Sequence, residues 1–279
     1  MKKVFASDFD GTLYFYKAAD PDKLPQESVE KIREYQEAGH LFGLCTGRQV
    51  GGLTPFITGL VEPNFFITSS GANIVDRHYE EIRKRGIDPA VAKGIVELLQ
   101  PKGFRMTLDV GGDICVFEKM DYPGKYYVIN SVDDIPEGLI HQVSVHTESL
   151  EDAAANAAYI NERFGDSIQA FQNVIEIDNA PKGCSKGKGV EALRDYYREA
   201  YGDVPILIGG LEFNRFRRFE NKPCRFGAGE RNARFFSGAE VGYVSGKLSA
   251  RIAECVFTDL RIYFTEIALK QKRTAAWFR

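Results

Sequence analysis

The chain has 279 residues, 44% apolar and 27% charged, and its 36 Lys and Arg against 39 Asp and Glu leave a formal net charge of -3. That balance supplies ample core-forming material and excludes an intrinsically disordered, collagen-like or coiled-coil chain. No uninterrupted run of about 18 apolar residues occurs, and Met1-Lys2-Lys3-Val4 leads at once to Asp8 and Asp10, so neither a membrane span nor a secretory signal is expected and the cytoplasm is the expected compartment.

Residues 3–7 form a short apolar run ahead of Asp8-Phe9-Asp10-Gly11-Thr12-Leu13, which predicts a buried strand delivering two carboxylates into a tight loop. Residues 26–39 carry helical spacing (Val29, Ile32, Tyr35) and stop at Gly39. A second buried strand, 41–45, ends at Thr46-Gly47-Arg48, and a third, 64–68, at Ser69-Ser70-Gly71-Ala72. Alternating strands and helices predict right-handed βαβ units in a parallel sheet, with ligands at the carboxyl ends of its strands. From 79 to 180 the pattern changes to helices at 89–99 and 150–164 among strands at 103–110, 113–118, 142–146 and 168–177, which predicts an inserted α+β domain. A helix from 186 to 197 and a buried strand at 204–208, ending at Gly209-Gly210, return to the first pattern. The expected organisation is a core of residues 1–78 and 181–279 with a cap of 79–180.

The tail differs in composition. Residues 1–209 hold 22 Lys and Arg against 32 Asp and Glu, net -10, whereas 210–279 hold 14 against 7, net +7. The five cysteines, Cys45, Cys115, Cys184, Cys224 and Cys255, are odd in number, scattered and never spaced C-x-x-C, so reduced thiols are expected rather than disulfides or a zinc site.

Asp8 and Asp10 stand two residues apart, so a strand end aims both into one cavity. Carboxylates that close repel unless a cation or a shared proton intervenes, and an oxygen-rich site suits Mg²⁺; the bland alternative is a solvated D-x-D-G turn. Thr46 and Gly47 offer a hydroxyl and backbone N–H groups to an anion, or simply cap a helix. Lys186, in Gly183-Cys184-Ser185-Lys186-Gly187-Lys188-Gly189, is a cation opening a helix that suits a phosphoryl group, or an ordinary solvated lysine, with Lys182 and Lys188 close by.

D-x-D-G-T-L after the first strand, T-G-R after the second, an inserted mixed domain and S-K-G opening a later helix together resemble the haloacid dehalogenase superfamily of phosphohydrolases. The long insertion after the third strand resembles its Cof-type sugar-phosphatase branch. The resemblance covers residues 1 to about 209. It implies a Rossmann-like α/β core plus an inserted α+β cap, and a phosphatase acting on small phosphorylated metabolites such as sugar phosphates. In that reading Asp8 attacks phosphorus, Asp10 protonates the leaving group and then activates water, Thr46 hydrogen-bonds the phosphoryl group, and Lys186 balances its charge. Gly11, Thr12, Gly47 and Arg48 border the phosphate, Arg48 either reaching substrate or bracing Asp10. Asp8, the Asp10 carbonyl and a fourth-motif acid bind Mg²⁺. Neither a nucleic acid nor a membrane is an expected partner, and nothing selects an oligomeric state.

The chain departs from the family where the fourth motif, approximately G-D-x-x-N-D, should follow the fourth strand. It reads Gly209-Gly210-Leu211-Glu212-Phe213-Asn214-Arg215-Phe216-Arg217-Arg218, with Gly210 and Asn214 at the acid positions, so Glu212 or Asn214 is the remaining metal candidate. The three arginines oppose a bound divalent cation. One hypothesis joins this gap to the compositional break: from about Gly210 the chain derives from a shifted reading frame. One base forward, the codons possible for 209–212 allow Gly-Asp-Trp-Asn, and those for 215–221 allow Asp-Phe-Asp-Ala-Leu-Lys-Thr. The rival readings are a genuine basic tail for an anionic partner, a catalytically weak phosphate-ligand binder that has lost its metal seat, and a mutase-like phosphotransferase of the same fold.

Overall fold

The computed structural model describes residues 2–14, 24–135, 138–204 and 206–209, together with a strand at 241–244. The chain divides into two compact units, Met1–Leu44 with Gly59–Asn64 and Arg194–Arg279, and Cys45–Thr58 with Phe65–Leu193.

In the first unit, β1 (Val4–Ser7) is entirely buried, which is why it reads as an apolar run rather than an alternating one. It pairs in parallel with β2 (Leu41–Cys45), Val4 opposite Leu41, and with β12 (Ile206–Gly209), Val4 opposite Ile206; β12 in turn pairs in parallel with β13 (Val241–Val244). Helix α1 (Gln26–Glu37) buries Val29, Ile32 and Tyr35, and the Tyr35 ring meets Phe5 edge-on at 6.3 Å. Asn64 ties the segment after that helix to β2: its N–H donates to the Phe42 carbonyl at 2.6 Å and its Oδ1 accepts from the Phe42 N–H at 3.0 Å. Helix α5 (Lys186–Tyr201), which belongs to the second unit through Leu193 and to the first from Arg194, precedes β12 in the chain.

In the second unit, after the short helix α2 (Thr54–Ile57), β3 (Phe65–Thr68), β4 (Asn73–Asp76) and β5 (Glu81–Lys84) form an antiparallel meander that the apolar-run reading did not anticipate. A further sheet has the order β10-β11-β9-β6-β7-β8, built from β6 (Arg105–Val110), β7 (Asp113–Val116), β8 (Tyr126–Val128), β9 (Ile140–His146), β10 (Ile168–Asn173) and β11 (Glu176–Pro181). Helices α3 (Pro89–Leu99) and α4 (Leu150–Phe164) pack on it, contributing Ile95, Leu99, Ala153 and Ile160 to one core with Leu108, Val143, Val145 and Ile177. Both helices start on a side-chain cap, Asp88 accepting from the Ala90 N–H and Ser149 from the Asp152 N–H, which satisfies an otherwise orphaned donor.

The strand expected over 168–177 is two strands. Val174 takes a left-handed φ of 53° and turns β10 back onto β11, pairing Asn173 with Glu176. A β-branched residue disfavours that conformation, so the turn carries no Gly or Asn-Gly signal and was invisible in the pattern. The architecture is therefore α/β: a Rossmann-like parallel sheet plus an α+β insertion.

Cys45, Cys115 and Cys184 are buried and form no disulfide. Burial, with Asp113 and Asp109 nearby, pushes the Cys115 thiol up to about 11, and burial also raises Cys184. Since the thiolate is the reactive form, all three are expected to stay unmodified by an aromatic disulfide reagent at pH 8 and to react in urea, as read by peptide mass mapping. Native-state labelling of Cys115 would contradict that burial.

Candidate functional site

In the first unit, β1 hands directly into the carboxylate loop. The Asp8 N–H donates to the Gly209 carbonyl at 2.7 Å, continuing the β1–β12 ladder one residue past the strand. Asp8 is only 4% exposed; its Oδ1 accepts from the Phe9 N–H at 2.9 Å, and the Ser7 hydroxyl donates to its carbonyl at 2.8 Å. Phe9 is fully buried, stacks on Tyr14 at 5.4 Å, and accepts at its carbonyl from the N–H groups of Thr12, Leu13 and Tyr14. This anchored phenylalanine separates the buried Asp8 from the half-buried Asp10. Gly11 has φ 71°, a left-handed conformation suited to glycine, and its N–H donates to the Tyr14 carbonyl at 2.8 Å. Thr12 is buried beside it. The D-x-D-G-T-L run is thus a tight, hydrogen-bonded turn built on core aromatics; Tyr14 belongs to that core, and Phe15 and Tyr16 lie outside the described residues.

In the second unit, Thr46 is 2% exposed. Its N–H donates to the Ile67 carbonyl at 2.8 Å, and its carbonyl accepts from the Ser70 N–H at 3.3 Å. Its Oγ1 accepts from the Arg48 N–H at 3.1 Å, a local cap that uses a lone pair and leaves the hydroxyl proton for donation. The Gly47 carbonyl accepts from Gln142 Nε2 at 2.9 Å. Arg48 donates to the Gly52 carbonyl at 3.1 Å and lies over the Phe56 ring at 5.1 Å.

Burial separates the three lysines that spacing could not. Lys186, the first residue of α5, is 5% exposed. Lys188 is an exposed partner of Glu191, and Lys182 donates from the surface to the Gly165 carbonyl. The start of α5 is held close to the turn after β3 by two glycines. A Cβ on Gly71 would lie 2.2 Å from the Ser185 carbonyl oxygen, and one on Gly189 would lie 2.5 Å from Ile67 Cγ2. Gly71 also has φ 86°. Gly71→Ala is therefore expected to cost roughly 1–3 kcal/mol from backbone strain alone, with a further loss from the clash. Thermal unfolding checks this: an unchanged midpoint would mean that the close approach does not exist in solution.

Sequence reasoning missed the support behind that turn. Ser69 and Ser70 both have positive φ, 50° and 55°. The Ser69 hydroxyl donates to the Asp109 carboxylate, which also accepts from the Gly112 N–H at 2.8 Å. Asp109 is 2% exposed; burial pushes its carboxyl above the usual range, with the neighbouring His141, Ser69 and Gly112 opposing. His141 is itself a fully buried core residue, its Nδ1 2.6 Å from the Arg85 carbonyl. Asp113 and Glu118 are exposed.

For a divalent cation, the described residues offer the Asp8 carboxylate and the Asp10 carbonyl, hard oxygen donors of the kind Mg²⁺ takes. Among the described residues no group of three or more His, Cys, Asp or Glu side chains is gathered for a metal. Gly210, Glu212 and Asn214 lie outside the described residues.

The sequence profile of the haloacid dehalogenase-like hydrolases matches residues 5–204. None of the curated proteins matches. Among solved structures, the chain is similar to a phosphatase of the haloalkanoate (HAD) superfamily from Bacteroides thetaiotaomicron, at 21% identity and TM-score 0.59, over 77% of this chain and 79% of that one. A HAD subclass IIB sugar phosphatase is 17% identical with TM-score 0.58, covering 75% and 80%. A haloacid dehalogenase-like hydrolase from B. subtilis is 16% identical with TM-score 0.63, covering 75% and 83%. At these identities the likeness establishes the fold.

Proposed function

Because the chain belongs to the haloacid dehalogenase-like hydrolases, we propose that it is a phosphatase that hydrolyses small phosphorylated metabolites, sugar phosphates among them, through an aspartyl-phosphate on Asp8. The observation that carries this reading is the loop after β1, where a buried carboxylate and a more exposed one flank an anchored phenylalanine.

In the first half-reaction an Asp8 oxygen forms a bond to phosphorus as the bond to the leaving-group oxygen breaks, and that oxygen takes a proton from Asp10. In the second, Asp10 accepts a proton from water, the water oxygen attacks phosphorus, and the bond to Asp8 breaks. Splitting the hydrolysis this way replaces one difficult displacement by two easier ones. Thr46 donates a hydrogen bond to the phosphoryl oxygens and Lys186 neutralises their charge. Buried donors and cations are effective there because the transition state is largely electrostatic. Gly11, Thr12, Gly47 and Arg48 shape the phosphate surroundings, and residues 79–180 act as the cap that selects the leaving group. Mg²⁺, when bound by Asp8 and the Asp10 carbonyl, shields the repulsion between the attacking carboxylate and the phosphoryl group.

One observation favours a weaker activity: Gly210 and Asn214 stand where the family has metal-binding acids. The test is phosphate release from an aryl phosphate with and without Mg²⁺. Release that depends on the ion supports the hydrolase; phosphate binding without release supports a ligand-binding protein.

A further inference from the structure

The loop after β2 carries Thr46, Gly47 and Arg48, and two turns of the second unit grip its backbone. From the turn after β3, the Ser69 N–H donates to the Arg48 carbonyl at 2.9 Å and the Ser70 N–H to the Thr46 carbonyl at 3.3 Å. From the turn between β6 and β7, the Gly112 carbonyl accepts from the Gly51 N–H at 3.0 Å. One turn therefore holds the first residues of the loop and the other holds its far end. The first turn is strained: Ser69 and Ser70 are consecutive left-handed residues, at φ 50° and 55°. Residues with side chains keep that conformation only where their surroundings over-determine it.

A single side chain serves both turns. Asp109, near the end of β6, accepts from the Ser69 hydroxyl at one carboxylate oxygen and from the Gly112 N–H at the other, the latter at 2.8 Å. At 2% exposure it is shielded from water that would compete for either bond. We infer that Asp109 is a positioning residue for the phosphate site: by bridging the two turns it fixes the backbone from Thr46 to Gly51, and with it the direction in which the Thr46 hydroxyl is presented. Asp109 acts through the two turns and touches no substrate itself. This assignment rests on the phosphatase reading above, which gives the Thr46 hydroxyl a phosphoryl group to meet, and adds to it a residue from the inserted segment.

Two measurements on the full chain test it: hydrogen exchange of the backbone amides of residues 46–52, read by mass spectrometry, and calorimetric titration with inorganic phosphate. Ser69→Ala cuts only the link to the turn after β3, whereas Asp109→Ala cuts both links. Each is expected to speed exchange over 46–52 and to weaken phosphate binding about tenfold. The double variant is expected to lose no more than Asp109→Ala alone, since the two groups act through one bond. Asp109→Asn keeps an acceptor for the Gly112 N–H and offers its own N–H to the Ser69 oxygen, so it is expected to restore most of the affinity. Ser149→Ala removes the cap of α4, which lies outside both turns; it is expected to lower the unfolding temperature and leave phosphate affinity at the parent value. Equal weakening by Ser149→Ala reduces the effect to general stability and overturns the assignment. So does unchanged exchange over 46–52, or unchanged phosphate affinity, in Ser69→Ala, the variant that decides if Asp109→Ala fails to fold. If the parent chain binds no phosphate while its exchange still responds to Ser69→Ala, the phosphatase reading has failed and the positioning role is overturned with it.

Discussion

Asp8→Asn is expected to abolish phosphate release from an aryl phosphate, while Asp10→Asn leaves a measurable remainder. The two carboxylates differ in what they supply. Asp8 makes and breaks a bond to phosphorus, and the amide is too weak a nucleophile to open the covalent route. Asp10 moves a proton, a contribution of roughly 10²- to 10⁴-fold, so its loss slows a path that still exists. The surroundings agree with this division: Asp8 is held by the Phe9 N–H and by the Gly209 pairing of its backbone, and Asp10 follows on the more exposed side of the loop. Fold loss is excluded by showing that each variant unfolds at the wild-type temperature. Equal rates for Asp8→Asn and the parent chain would remove the mechanism.

Restoring an acid-bearing fourth motif after Gly209 is expected to raise Mg²⁺ affinity and turnover together. Three observations converge on that position. The net charge changes from -10 over residues 1–209 to +7 over 210–279. The acids of the fourth motif are replaced by Gly210 and Asn214. The family match ends at residue 204. A shifted reading frame would account for all three, and the codons possible for this stretch allow an aspartate at the first acid position one base forward. A metal acting on the phosphoryl group supplies several kcal/mol, and at about 1.36 kcal/mol per tenfold the restored chain should turn over on the order of 10²-fold faster, with the gain lost in a chelator. The coding DNA gives an independent check: if no shifted frame there encodes Gly-Asp followed by a second acid, the hypothesis is wrong.

Local physics is what a sequence displays most directly, and the carboxylate loop is local. Asp8, Asp10 and Gly11 are adjacent, the run before them is apolar because β1 is buried on both faces, and a glycine at φ 71° closes the turn. Helices α3 and α4 were legible to the residue because Pro89 and Ser149 sit at their starts and their apolar spacing faces one core. The order of strand-end motifs was therefore readable without coordinates. Pairings across distance were not. That Lys186, rather than Lys182 or Lys188, is the buried lysine depends on where α5 begins against the turn at Gly71. That Asp109 is buried against Ser69, that Val174 reverses the chain, and that Gln142 touches the Gly47 carbonyl depend on strand register. Alternation in a strand names two faces but not what covers each one; only the tertiary contacts decide which polar side chain is solvated and which is enclosed.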